Sequence, residues 1–247
     1  MILLIDGDLI AWRTATSIPA GNNPYVLYER INYLLDSIFN ALNTDSYLIY
    51  ISDKTNPSYR SLINPTYKAN RKDIVRPEAL DVCFEYLTNY WRAISIPYYE
   101  ADDALGWNQT ENTIICTIDK DLDMIPGKHY NFVRHRAYEV SNLDAIQFFY
   151  KQMLIGDNAD NIKGIYQIGP KKAAKLIDPL TEEQEMFDLV YNKYNDPKRF
   201  LINAECLWIQ QERGTTWVNR QKLCFPSQLQ QEQVRLLDYM TSLRAGI

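Results

Sequence analysis

Short apolar runs, each stopping at an acidic residue, set the rhythm of the first half of this chain. Ile2 to Ile5 runs into Asp6, and Tyr47 to Ile51 runs into Ser52-Asp53. Both are continuous apolar stretches of strand length, the pattern of parallel strands buried on two faces. Ile96 to Tyr99 leads to Glu100 and Thr113 to Ile118 leads to Asp119, giving a third and a fourth strand. Segments at Tyr130 to Val133 and Tyr138 to Val140 extend the sheet. Between the strands the apolar period becomes helical. Ile31, Leu34, Leu35, Ile38, Phe39 and Leu42 share one face, and Leu80, Phe84, Leu87 and Trp91 share another after Pro77. Residues 54 to 76, broken by Asn56, Pro57, Asn64 and Pro65, read as an extended, largely irregular excursion. Beyond Asn142 the pattern becomes helical, at 143–155, 170–177, 181–194 and about 198–212, with 205–217 reading as helix followed by a strand. The alternation predicts an α/β fold: a mainly parallel central sheet flanked by helices, followed by a C-terminal helical subdomain.

Composition narrows the class. A chain of 247 residues can bury a substantial core, and no apolar run approaches the roughly 18 residues that span a bilayer. The opening MILLIDGD has no basic segment or small-residue cleavage site, so a cytoplasmic protein is expected. Cys83, Cys116, Cys206 and Cys224 form no CxxC pair and the chain has two His, which speaks for free thiols and against structural zinc. The net charge of −5 argues at first against a nucleic-acid partner. Two bound divalent ions would bring it to about −1. Basic residues also cluster, as Arg60, Lys68, Arg71, Lys72 and Arg76, and again as Lys171, Lys172 and Lys175.

The acids carry the chemistry. Asp6 and Asp8, Asp53, Glu100 with Asp102 and Asp103, Asp119 with Asp121, and Asp157 with Asp160 follow apolar runs or open helices. A single Asp after a strand is usually a turn or cap residue. Carboxylates repel, however, and gathering so many at the C-terminal ends of parallel strands calls for cations. Oxygen-only ligand sets suit Mg²⁺ or Mn²⁺, and two such ions support in-line attack on a phosphodiester. Asp157 and Asp160, three apart, are expected one helical turn from each other and facing the same ion.

Two further stretches point to phosphate. In NIKGIYQIGPKKAAKLI, residues 161–177, Gly164 and Gly169 allow tight turns and Pro170 opens a helix lined by Lys171, Lys172 and Lys175. A helix N-terminus following tight turns offers backbone N–H groups to phosphates, although an ordinary helix with solvated lysines has the same composition. In NPTYKANRK, residues 64–72, Lys68 and Arg71 can clamp a phosphate and offset transition-state charge, while Tyr67 there and Tyr59 just before it can stack on bases.

YKANR, EADD, TIDKDLD and GDNADNIKGIYQIGPKKAAKL, in that order, resemble the flap endonuclease/5′-3′ exonuclease family, most closely its bacteriophage-encoded members, over residues 2 to about 177. The resemblance implies a PIN-like nuclease core over 1–142 with an arch at about 54–95. It implies a helical DNA-binding subdomain over 143–247, with a helix–three-turn–helix at about 155–177. It also implies two metal positions, Asp6, Asp53, Glu100 and Asp102 at the tighter and Asp119, Asp121, Asp157 and Asp160 at the second, with Asp103 able to serve either. Lys68 and Arg71 match the arch residues that approach the scissile phosphate. Arg60, Tyr67, Lys72, Gly164, Gly169, Lys171, Lys172 and Lys175 fall to DNA, and the carbonyls of Ile162, Ile165 and Ile168 to a K⁺ ion. The implied partner is duplex DNA with a 5′ end or 5′ flap, or an RNA–DNA hybrid, bound by a monomer with no membrane involved.

Other readings remain at this point. A haloacid-dehalogenase-type phosphatase would use Asp6 as nucleophile, but leaves Glu100 to Asp103 and Asp119/Asp121 unexplained. A silent binder of branched DNA has no need of the acids, and a PIN-type ribonuclease has no need of the Gly-Pro-Lys-Lys element. His129 and His135 are read as packing or surface residues.

Overall fold

A computed structural model describes residues 1–18, 21, 23–220 and 223–245, with the side chains of 73 and 243–245 outside the description. The chain divides into two compact units: residues 1–57, 74–141 and 211–213 form the first, and 58–73, 142–210 and 214–247 the second.

The first unit is built on a six-stranded sheet. Its strands are β1 (Ile2–Asp6), β2 (Tyr47–Ile51), β3 (Ile94–Ser95), β4 (Thr113–Cys116), β5 (Gly127–Asn131) and β6 (Arg136–Val140), in the order β3-β2-β1-β4-β5-β6. The first five are parallel, with Leu4 opposite both Leu48 and Ile115; β6 closes the edge as an antiparallel hairpin with β5. Burial on both faces explains the unbroken apolar runs of β1 and β4. Helices α1 (Gly7–Ser17), α2 (Pro24–Leu42), α4 (Leu80–Asn89) and α5 (Ala101–Asn108) connect the strands, α3 (Tyr59–Ile63) belonging to the second unit. Leu3, Ile5, Ile10, Ile31, Leu35, Cys83, Leu87 and Cys116 are among the residues packed into one core.

The third strand is two residues long and precedes the expected Ile96 to Tyr99, because those residues form a turn in which the Tyr98 N–H is taken by Asp53. Helix α1 is an addition to the expected elements. Its inward positions, Ile10, Ala11, Thr14 and Ala15, mix small and polar side chains and so blur the helical period.

The second unit contains α6 (Asn142–Ile155), the two-residue strands β7 (Gly156–Asp157) and β8 (Ile162–Lys163), α7 (Pro170–Ile177), α8 (Glu183–Tyr194), α9 (Pro197–Leu207) and α10 (Ser227–Ala245). Phe187, Phe200 and Trp217 fill its core, with Trp217 stacked on Phe225 at 5.5 Å between centroids. The expected helix to residue 212 stops at Leu207, and no strand is found over 205–217, since Trp208 turns extended and buries itself. The excursion is not irregular throughout: α3 and a 3-10 turn at Ala69–Asp73 occupy it, and 58–73 cluster with the helical unit rather than with the sheet that flanks them in sequence.

Candidate active site

The sheet order puts the C-terminal ends of β3, β2, β1 and β4 side by side, and the acids follow those ends. Asp6 closes β1 and is 2% exposed. Its Oδ1 accepts from Leu9 N at 3.1 Å as the cap of α1, and its Oδ2 accepts from the Thr117 hydroxyl at 2.9 Å. Burial, then the charge of Asp8 and to a smaller degree that of Asp119, push the Asp6 carboxyl up to about 7 against the pull of those two hydrogen bonds. Thr117, absent from the expected set, also accepts from Asp119 N at 3.0 Å and so joins the ends of β1 and β4. Asp119 caps the 3-10 turn Lys120–Met124 by accepting from Asp121 N at 2.9 Å.

Gly7 separates Asp6 from Asp8 for a steric reason. A Cβ there would lie 2.7 Å from Ile51 Cγ2 and 2.8 Å from both Ile49 Cγ2 and Tyr50 O, so α1 can start against β2 only on a glycine. Asp8 Oδ1 then accepts from Ser52 N at 3.1 Å and Lys54 Nζ at 3.4 Å. Ser52 Oγ in turn accepts from Ala101 N at 3.0 Å, fastening the start of α5 to the end of β2. Glu100 precedes that helix as its cap residue, Asp102 is half-buried in its first turn, and Asp103 is fully buried.

Asp53 differs from the others. Its Oδ1 accepts from Thr55 N (2.8 Å), Thr55 Oγ1 (2.7 Å) and Asn56 N (3.3 Å), and its Oδ2 from Asn56 Nδ2 and Tyr98 N, both at 2.8 Å. Burial alone would raise its pKa, but these donors win and hold the carboxyl below the usual carboxylate range. Its lone pairs are spent on the loop after β2, so in this structure it organises that loop.

The donor chemistry fits a divalent cation: oxygen-only groups at one sheet edge, with a buried carboxylate whose neighbours are also negative. Among the described residues, no three carboxylate, imidazole or thiol side chains stand close enough together to hold one ion.

The second unit holds the other acids and the two expected catalytic cations. Asp157 ends β7 and Asp160 lies on the turn to β8, neither on a helix, because Asp157 Oδ1 accepts from Ala159 N (2.7 Å) and Asp160 N (3.2 Å) and turns the chain. Residues 64–72 are fastened to this connection. Arg71 donates from Nη2 to Asp160 Oδ1 at 2.6 Å and from Nε to Ala159 O at 3.1 Å; Lys68 Nζ stands 3.8 Å from Asp160 Oδ2. Lys68 N donates to Asp160 O (3.0 Å), Asn70 Nδ2 to Asn158 O (2.7 Å) and Asn161 Nδ2 to Thr66 O (2.8 Å). Both expected catalytic cations are thus ion-paired to an expected metal ligand.

The family model of the 5′-3′ exonuclease N-terminal resolvase-like domain matches residues 1–151, which include the whole acid-bearing sheet. The chain belongs to this family. A DNA polymerase I of Caldicellulosiruptor bescii is 28% identical over 217 residues, covering 75% of this chain and 25% of that protein. The chain thus spans about a quarter of the polymerase relatives it matches. Flap endonuclease Xni of a Shewanella species is 27% identical over 207 residues, 77% of this chain and 79% of that protein. A solved structure of the bacteriophage T5 flap endonuclease, as a pseudo-enzyme–product complex with DNA and metal ions, shares the fold with a TM-score of 0.62 at 19% identity, over 97% of this chain and 99% of that one.

Within this chain, two of the residues expected at DNA are buried. Arg60 is 2% exposed and donates from Nε to Cys206 O at 3.1 Å and from Nη2 to Trp208 O at 2.6 Å, where α9 has ended and its carbonyls lack helical partners. Tyr67 is 5% exposed and donates its hydroxyl to Asp160 Oδ2 at 2.9 Å, so its ring offers no face for stacking. Gly164 is a packing glycine: a Cβ there would meet the Ile155 carbonyl group at 2.2–2.3 Å. Gly169 faces open space at the cap of α7, and Lys72, Lys171, Lys172 and Lys175 are exposed. His129 is buried, its Nε2 2.7 Å from Ile125 O, and His135 is exposed in the β5–β6 turn.

Proposed function

We propose that this chain is a divalent-metal-dependent 5′-nuclease that hydrolyses phosphodiesters of DNA carrying a 5′ end or 5′ flap, and of RNA–DNA hybrids at primers. The observation that carries the reading is Asp6, its carboxyl raised by burial and then by the charges of Asp8 and Asp119, at the C-terminal edge of a parallel sheet inside the matched family domain. In the first unit, Asp6, Glu100, Asp102, Asp103, Asp119 and Asp121 would hold Mg²⁺ or Mn²⁺. When bound, the ions lower the pKa of a water and offset charge on the leaving 3′ oxygen.

The chain's own residues do the rest. Thr117 and Leu9 N orient Asp6 by fixing one oxygen each. Lys54 offsets part of the charge of Asp8. Lys68 and Arg71 are held by Asp160 until a phosphate competes for them, and a bound phosphate oxygen is the natural replacement for a carboxylate in a guanidinium fork. The exposed N-terminus of α7, with Gly169 and its following lysines, grips the duplex backbone without reading bases.

The turns carrying Ile162, Ile165 and Ile168 would take K⁺ on backbone carbonyls. A cation already sits on this stretch, where Lys172 Nζ reaches Gln167 O at 3.0 Å. On this reading the protein works as a monomer in the cytoplasm, that of an infected bacterium if the gene is a phage's, in DNA replication.

The decisive experiment compares wild type and Asp119→Asn on a 5′-labelled flap or recessed duplex with Mg²⁺. Cleavage by the wild type that falls at least a hundredfold in the variant is expected. Equal cleavage by both would remove Asp119 and its metal from the mechanism.

A further inference from the structure

A cavity of about 330 Å³ opens in the first unit between the 3-10 turn Lys120–Met124 and the β5–β6 hairpin. Asp119, Lys120, Asp123, Arg134, Arg136 and Tyr138 line it. Its volume suits one sugar-phosphate unit. Three of these residues are cations and two are acids, a positive surplus on a chain whose net charge is −5.

The acids are already engaged, and the arginines are not. Asp123 Oδ1 accepts from the Tyr138 hydroxyl at 2.7 Å, and the Tyr138 ring is braced against His129 at 5.3 Å. Asp119 caps the 3-10 turn. Among the described residues, no hydrogen bond or ion pair takes up the guanidinium of Arg134 or Arg136, and Lys120 has only Asp121 at 3.8 Å.

The backbone that presents them is fixed. The Asn131 side chain accepts from Val133 N (3.2 Å) and Arg134 N (2.9 Å), His135 takes a left-handed φ of 49°, and Arg136 pairs in register with Asn131. Arg136 and Tyr138, two apart on β6, point to one face. Tight hairpin geometry thus aims two uncommitted arginines at a recess that includes Asp119.

From this, and resting on the nuclease reading above, we infer that the cavity is a phosphate subsite. In it Arg134 and Arg136 hold a phosphate of the nucleic-acid strand next to the one presented to the metal-binding acids. Two guanidiniums give bidentate, charge-assisted contacts, which position the strand without reading its sequence. The phosphate is either an internal phosphodiester or the 5′-terminal group; both offer the same oxygens.

The test uses the full chain and a fluorescent 5′-flap DNA, with Ca²⁺ replacing Mg²⁺ to hold back cleavage, and follows Kd against salt. The double variant Arg134→Ala/Arg136→Ala is expected to bind about tenfold more weakly at low salt, with the slope of log K against log salt reduced by about one. In Mg²⁺ its KM should rise by a similar factor with kcat little changed. Arg134→Lys/Arg136→Lys keeps the charge and should keep the slope. If the alanine pair melts below the assay temperature, Arg134→Gln/Arg136→Gln reads the same quantity. A defect seen only with 5′-phosphorylated DNA assigns the site to the terminal phosphate, and one equal on 5′-hydroxyl DNA assigns it to the internal phosphodiester. An unchanged slope in the alanine pair, beside a wild type that binds and cleaves, overturns the subsite alone. A wild type that neither binds nor cleaves flap DNA overturns it together with the nuclease reading.

Discussion

Gly7→Ala tests the whole route from packing to chemistry with one methyl group. The new Cβ would stand 2.7–2.8 Å from Ile51 Cγ2, Ile49 Cγ2 and Tyr50 O, where ordinary contacts are nearer 3.5–4 Å. Two of the opposing atoms belong to stiff β-branched side chains and one is backbone, so the relief must come from α1 moving off β2 by nearly 1 Å. Overpacking of this sort costs about 1–3 kcal/mol. For a domain of this size that lowers Tm by roughly 2–12 °C. Because the residue sits between Asp6 and Asp8, the same shift displaces the Leu9 and Thr117 bonds to Asp6 and the Ser52 bond to Asp8. A displacement near 1 Å in catalytic groups can cost on the order of 100-fold in rate. Thermal melting and flap cleavage with saturating Mg²⁺, measured together, check this. A variant with wild-type Tm and wild-type kcat would refute the idea that close contact of α1 with β2 sets the acid geometry.

Three further outcomes follow. The folded form of Asp6 binds its proton more tightly than the unfolded chain does, so its stabilising share is complete below about pH 4 and is lost as pH rises to about 7; metal-free Asp6→Asn should be the more stable protein at pH 8 by urea titration, and should lack that decline. Arg71→Ala removes one donor of Asp160 and that of the Ala159 carbonyl; with Arg71 47% exposed the cost is only about 1 kcal/mol, but amide exchange at 158–161 should speed up markedly, and unchanged exchange would contradict the clamp. Arg60→Ala leaves the Cys206 and Trp208 carbonyls without this donor, so stability should fall by about 2–6 kcal/mol, from about 1–3 for each, while the salt slope of DNA binding in the folded protein stays that of wild type.

Strands β1, β2 and β4 were readable because buried parallel strands leave continuous apolar runs with acids beyond their ends, whereas the short, exposed β3 leaves none and was placed two residues late. Helix α1 was not, since its buried face is Ile10, Ala11, Thr14 and Ala15. Helix α10 was missed for a related reason, being mostly polar over Ser227–Ala245. Asp6 and Asp119 were visible as carboxylates after strands, but Thr117 was hidden: a hydroxyl bridging two strand ends has no spacing signature. In the basic stretch at 60–72, charge and aromatic content did not show which side chains are buried: Arg60 closes the end of a helix and Tyr67 binds Asp160. Sequence records side-chain type, whereas partner choice depends on contacts almost ninety to a hundred and fifty residues away.

Those separations bear on synthesis. At about 5–20 residues per second, Arg60 would leave the ribosome well before Trp208, its carbonyl partner 148 residues downstream, a wait of roughly 7–30 s. Leu62 waits longer still for the Tyr239 hydroxyl. During that interval the strands flanking residues 58–73 can pair while this segment stays tethered at both ends without its partners. A nascent chain stalled near residue 141 should therefore show protected sheet amides and a protease-sensitive loop at 58–73, and the cut should vanish on release of the complete polypeptide.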